Sequence, residues 1–379
     1  MKICAIICEY NPFHNGHLHQ LRQAKLLSGA DAMLCLMSGN FVQRGESAIL
    51  DKFTRAKHAL LAGADVVVEL PTPFACSSAE IFAKGAVKLL ASIPSVTHLC
   101  FGAENANKQA FIDTATSLLN ESGDISKKIK IGLAKGLSFA KARAQAYDNP
   151  LLSSPNNILG VEYTKAILQS GRNIEILPIL RIGSGYLDKR VDAELPSASA
   201  IREALTTSDK ESISNAVPSY VYEALPTAIT DNLDSLEKAA ILQKSESEIS
   251  TVLDCNEGLE NALKKAAILP APLTESLTSA RYTASRIRRI ALHNLLGIKK
   301  TDIETFLSDD LFLYPLGYKK DSKAVLTALS ESKYPLLTSA KTLENLSTIG
   351  RKCRDLINLA DKIYAVATGK AYQSNVVIL

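Results

Sequence analysis

The chain has 379 residues and a mass of 40.9 kDa, a length that predicts two domains or three at roughly 150 residues each. Hydrophobic residues make up 46% and charged residues 22%, which excludes a chain disordered along its length. The net charge of +4 (43 basic − 39 acidic) is too mild for a protein that coats nucleic acid without selectivity, so any basic site is local.

No apolar stretch approaches the roughly 20 residues that a spanning helix needs, so no membrane association is expected. The N-terminal run Met1–Glu9 is too short for a secretion signal and ends on an acid. The seven cysteines are Cys4, Cys8, Cys35, Cys76, Cys100, Cys255 and Cys353, most of them inside apolar runs. They read as small core residues of a reducing cytoplasm, and no Cys-x-x-Cys suggests structural zinc.

Strand and helix signals alternate over the first ~200 residues. Lys2–Cys8 is a buried-strand run, and His17–Ser28 carries helical spacing. Ala32–Met37 is the next strand and Asp51–Ala62 the next helix. Val66–Leu70 is a third strand closed by Pro71, Ser77–Ala91 a helix, and Thr97–Phe101 a fourth strand. Continuous apolar strands separated by helices predict an α/β fold, a doubly wound parallel sheet covered on both faces. Ligands of such sheets bind at the carboxyl ends of the strands. A helical insertion is expected over about 106–170, before a last strand at Ile174–Ile179. Strand signals then fade, which predicts a catalytic unit over 1–210 and a mainly α-helical C-terminal domain over 211–379.

The chemistry is concentrated just after the first strand, in Glu9-Tyr10-Asn11-Pro12-Phe13-His14-Asn15-Gly16-His17. His14 and His17 sit where a helix begins, and free N–H groups and the dipole there favour anions. Two imidazoles at that place can donate to phosphate oxygens and stabilise charge on an α-phosphate under attack. Gly16 lets a ligand approach the backbone. Zinc held by His14, His17 and His19 is the alternative, without an evident further ligand or nearby carboxylates. Further on, Ser197-Ala198-Ser199-Ala200-Ile201-Arg202 opens a helix. Its hydroxyls and Arg202 either reach phosphates or form a plain N-cap with a solvated arginine.

His14-x-Gly16-His17 together with Ser-x-Ser-x-Ile-Arg resembles the HxGH nucleotidyltransferase superfamily. Longer runs narrow the likeness: Glu9–His17, Met37–Glu46, Asp51-Lys52-Phe53-x-Arg55-Ala56, Gly63–Asp65 to Glu69–Pro71, Phe101–Glu104 and Ser154–Tyr163. They resemble the tRNA(Met) cytidine acetate ligase family, densely over roughly residues 1–205 and thinly beyond. The resemblance implies a two-step reaction. Acetate attacks the α-phosphate of ATP to give acetyl-adenylate, and the acetyl group then passes to N4 of the wobble cytidine of elongator tRNA(Met). Magnesium is expected with the ATP, and no obligate protein partner is implied.

The resemblance also implies site residues. Ile7, Cys8, Glu9, Tyr10, Asn11, Pro12, Phe13, His14, Asn15, Gly16, His17, Leu18, His19 and Gln20 would wrap the ATP, with Gly102, Asn157, Arg181, Ser199 and Arg202 completing the site. His14, His17 and Arg181 would act on the phosphates. Asn157 would read a nucleotide edge or cap its helix. Ser38, Gly39, Asn40, Gln43 and Arg44 follow the second strand and would meet acetyl-adenylate or the cytidine, and Lys52 and Arg55 would touch phosphates or tRNA. Arg286, Arg289 and His293 share one helix face, an expected exposed row for RNA phosphates, while Ile287, Ala291 and Leu295 would pack inward. A solvated amphipathic helix explains the same row. Two other functions stay open: adenylylation of a small phosphorylated metabolite, and RNA binding without catalysis. No residue is nominated to accept the proton that the cytidine amine must lose.

Overall fold

The computed structural model describes residues 1–181 and 197–379. Five parallel strands form the body of its sheet: β1 Ile3–Cys8, β2 Ala32–Ser38, β3 Val66–Leu70, β4 Val96–Ala103 and β5 Glu175–Leu180. β6, Pro315–Tyr318, runs antiparallel to β3, and β7, Val377–Ile378, lies parallel to β6. The order across the sheet is β5-β4-β1-β2-β3-β6-β7.

β1, β2 and β3 are buried at every residue, as their unbroken apolar sequences require once helices cover both faces. The chain steps from β1 outward to β2 and β3, then returns to place β4 on the other side of β1. That reversal opens a crevice between the carboxyl ends of β1 and β4, the place where doubly wound sheets bind ligands. Local signals set the flanking helices. The helix Lys52–Leu61 starts at Asp51, whose carboxylate accepts from the N–H groups of Phe53 and Thr54. The helix Pro155–Ser170 has proline in its first turn and ends on Gly171 at φ 68°.

The expected insertion is present between β4 and β5, as the helices Lys108–Leu119, Gly123–Ala134 and Phe139–Tyr147 leading into Pro155–Ser170. β6 and β7 carry the sheet past residue 211, so the division expected there does not divide the sheet. They are four and two residues long, and Pro315 and Gly317 interrupt the apolar pattern of β6, which hides both from a reading of hydrophobic runs. One apolar core runs from Ile3 to Ala367, and a second, spanning Ile241 to Ala291, holds a helical unit of the C-terminal part.

Candidate active site

The crevice is lined from three strand ends. Ile7 to Asn11 leave β1, Phe101 and Gly102 end β4, and Arg181 follows β5. His14, His17 and Gln20 line it from the start of the helix Asn15–Ser28 and its N-cap, Gln43 and Arg44 from the loop after β2, and Ser197 to Ser199 with Arg202 from the N-cap and first turns of the helix Ala198–Thr206. Most of the expected nucleotide-binding residues are therefore brought together.

His14 is the N-cap of its helix, and its Nδ1 accepts from the N–H of Gly16 at 3.1 Å. A Cβ on residue 16 would lie 2.9 Å from His14 Cε1, so glycine is needed there to admit the imidazole itself, not only a ligand. The His17 ring stacks on His14, centroids 3.6 Å apart and 28° from parallel. Tyr10 and Phe13 pack beside His17 with centroids at 4.9 and 5.7 Å. Burial, with Arg181 and Arg202 adding repulsion, pushes the His14 pKa down to about 3, and burial together with His14 holds His17 well below its usual range. Both rings are therefore neutral near pH 7. Because Nδ1 of His14 accepts, its single proton is on Nε2. Stacked rings do not converge on one point, which disfavours the zinc alternative.

Arg202 donates through Nη1 to the carbonyl of Asn11 at 2.8 Å and through Nη2 to Ser199 Oγ at 3.2 Å. Ser197 caps the same helix by accepting from Ala200 N at 3.2 Å. The N-cap is present, and Arg202 lines the crevice bonded to protein groups rather than solvated. Arg181 crosses Gly102, where an added Cβ would meet Arg181 Cγ at 3.5 Å. Glu9 lines the crevice with its Oε1 fixed by Gln43 N–H at 2.7 Å.

Several expected residues lie elsewhere. Pro12 and Phe13 are buried beneath the crevice, Leu18 and His19 do not line it, and Asn15 is held by the carbonyls of Asn215 and Ala216. Asn157 turns its Oδ1 to the N–H groups of Glu104 and Asn105, at 2.9 and 3.2 Å, so it ties down the loop after β4 while its neighbour Asn156 lines the crevice. Ser38, Gly39 and Asn40 are likewise below it: Gly39 abuts Glu69, and Asn40 bonds Asp361 and Lys52 N.

Lys52 and Arg55 are corrected outright. Lys52 is 1% exposed between Glu69 and Asp361. Arg55 is fully buried, and its guanidinium donates to the carbonyls of Glu9, Ser38, Gly39 and Leu50. Both are sealed from solvent: Lys52 joins the end of β3 to the helix that carries Asp361, and Arg55 joins the ends of β1 and β2. The Arg286–Arg289–His293 face is also not an exposed row. Arg286 donates to the carbonyl of Asp254 and to Asn256 Oδ1 at 2.7 and 2.6 Å, Arg289 is half-buried and His293 is buried. The loop after β2 covers this face, since a Cβ on Gly45 would lie 2.7 Å from Arg289 N. Ile287 and Ala291 pack inward as expected.

The sequence reading missed the apolar wall of the crevice, Phe82, Phe101, Leu159 and Tyr163. The signal was available: Asn156, Leu159 and Tyr163 stand at i, i+3 and i+7 of one helix, one face of it.

The family model described as HIGH Nucleotidyl Transferase matches residues 1–376, and this sheet with its histidine pair defines a nucleotidyltransferase of that class. Relatives at full length narrow it. The tRNA(Met) cytidine acetate ligase of Acetivibrio thermocellus is 32% identical over 415 residues, covering 100% of both chains, and that of Caldanaerobacter subterraneus subsp. tengcongensis is 35% identical over 97% of each. The chain belongs to the tRNA(Met) cytidine acetate ligase family. The crystal structure of Thermotoga maritima TmcAL, apo, is 29% identical and superposes over 100% of both chains with a TM-score of 0.93. The same protein bound with alpha-thio ATP matches 99% of this chain with a TM-score of 0.89.

Proposed function

We propose that this chain is an ATP-dependent acetate ligase of tRNA. Acetate attacks the α-phosphate of ATP to release diphosphate, and the acetyl-adenylate formed acetylates N4 of the wobble cytidine of elongator tRNA(Met), releasing AMP. The observation that carries the reading is the neutral, stacked histidine pair at the head of the first helix, in a chain alignable end to end with ligases of that name. A preorganised Nε2–H of His14 can donate to the α-phosphate without itself changing charge, and Arg181 and Arg202 supply the fixed positive field. Attack by a carboxylate needs no base in this first step.

Among the described residues, no three His, Cys, Asp or Glu side chains gather to hold a metal ion. Magnesium accompanying ATP would be bound through phosphate oxygens and water. For RNA, the exposed lysines Lys127, Lys128, Lys130, Lys135 and Lys141 of the insertion are better suited than the half-buried Arg286 and Arg289. The insertion is tied to the crevice helix Pro155–Ser170 by Arg143 on Glu162 at 2.7 Å. No described helix is long and apolar enough to cross a membrane. A tRNA substrate places the proposed reaction in the cytoplasm. The protein incubated with ATP, isotope-labelled acetate and tRNA(Met) should yield labelled N4-acetylcytidine by mass spectrometry. Diphosphate release that ignores acetate but answers to a phosphorylated metabolite would replace this reading.

A further inference from the structure

The acetyl-transfer step needs a proton acceptor, and the described lining of the crevice contains one carboxylate, Glu9. Glu9 follows β1 at the switch point of the sheet. Its Oε1 is held by Gln43 N–H at 2.7 Å, its second oxygen has no hydrogen-bond partner among the described residues, and the residue lines the crevice. Of two other carboxylates near this end of the sheet, Glu104 has both oxygens engaged, by Asn156 Nδ2 at 2.7 Å and Asn157 N at 3.1 Å, and Glu46 is paired with Arg288 at 2.8 Å. The histidines are poor bases: the His14 Nδ1 lone pair is occupied by Gly16 N–H, and burial holds both rings well below their usual range.

We infer that Glu9 is the catalytic base that takes the proton from the acceptor amine during acetyl transfer. The inference rests on the ligase reading above. The nitrogen lone pair forms a bond to the acetyl carbonyl carbon, and the C–O bond to the phosphate breaks. AMP leaves with that electron pair, and the proton of the attacking nitrogen passes to Glu9, which becomes a neutral acid and later returns it to water. Among the described residues, the titratable groups near Glu9 are Arg44 and Glu46 on the loop after β2, Arg202 on the helix Ala198–Thr206, Tyr163 on the helix Pro155–Ser170, Cys76 after β3, and Arg55, which holds the Glu9 carbonyl. Burial raises the Glu9 carboxyl above its ordinary range against the pull of Arg202 and Arg44, so its carboxylate is a better base than an exposed one.

The test supplies acetyl-adenylate and unmodified tRNA(Met) and follows a single turnover across pH, bypassing the first step. In the wild type the rate should fall as pH drops and Glu9 is protonated. Glu9→Gln should slow transfer by about 10²–10⁴-fold and lose that acid limb, with tRNA affinity changed by no more than a few-fold. Glu9→Asp should keep the limb at a reduced rate, and decides the matter if the glutamine variant does not fold. A glutamine variant within about three-fold of wild type, one that retains the limb, or one whose defect follows lost nucleotide or tRNA binding overturns the assignment. A wild type that transfers no acetyl group overturns the ligase reading and the assignment with it, a result distinct from the others.

Discussion

Lys52 Nζ lies 2.6 Å from Asp361 Oδ2, joining the helix after β2 to the long helix Thr348–Thr368. Glu69 at the end of β3 closes the other side at 2.8 Å. The network is sealed from solvent, so Lys52 holds the C-terminal part onto the sheet rather than touching RNA. Lys52→Met should remove about 3–5 kcal/mol of stability, because it leaves buried carboxylates without their cation. Urea unfolding measures this, and a variant as stable as wild type would return Lys52 to the surface.

The histidine pair gives a second expectation. His14→Ala should lower turnover by about 10²–10³-fold with the fold intact, the usual loss when a donor to developing charge is removed. Gly16→Ala should cost about 10²-fold through misplacement alone, since its Cβ would force the His14 ring from its seat. Steady-state rates with circular dichroism check both. A fully active Gly16→Ala protein would show that the ring position does not matter.

Acid stability depends in part on His58, which burial beside Tyr220 and the charge of Lys57 push down to about 4. The folded chain refuses its proton between pH 6.5 and about 4 while the unfolded chain accepts it. Stability therefore falls as pH falls through that window and is unaffected by this group above it. His58→Gln should flatten the decline by up to about 1.4 kcal/mol per pH unit. Denaturant midpoints at several pH values measure it, and an unchanged slope rules His58 out.

Cations should separate by exposure. Lys128→Ala with Lys130→Ala should reduce the slope of log affinity for tRNA against log salt by about two, one for each phosphate no longer neutralised. Arg286→Ala with Arg289→Ala should instead lower the melting temperature, because Arg286 holds Asp254 and Asn256. A salt slope altered only by the arginine pair would move the RNA to that face.

Much of this molecule is legible without coordinates. The apolar runs of β1 to β3 and the glycines and prolines between them report which segments are buried on both faces, because water penalises such runs anywhere else. The spacing His14-x-Gly16-His17 after a strand marks the crevice, because an imidazole can fold back onto the helix only over a glycine. What a linear pattern does not carry is the direction in which a charge points. Lys52, Arg55 and Arg286 read in sequence like Lys128 and Lys130, all basic residues on helices. Only the tertiary structure decides that the first three are consumed by Asp361, by four backbone carbonyls and by Asp254, while the lysines face water. Their partners are up to 309 residues distant in the chain, and a desolvated charge must find such a partner wherever the fold provides it.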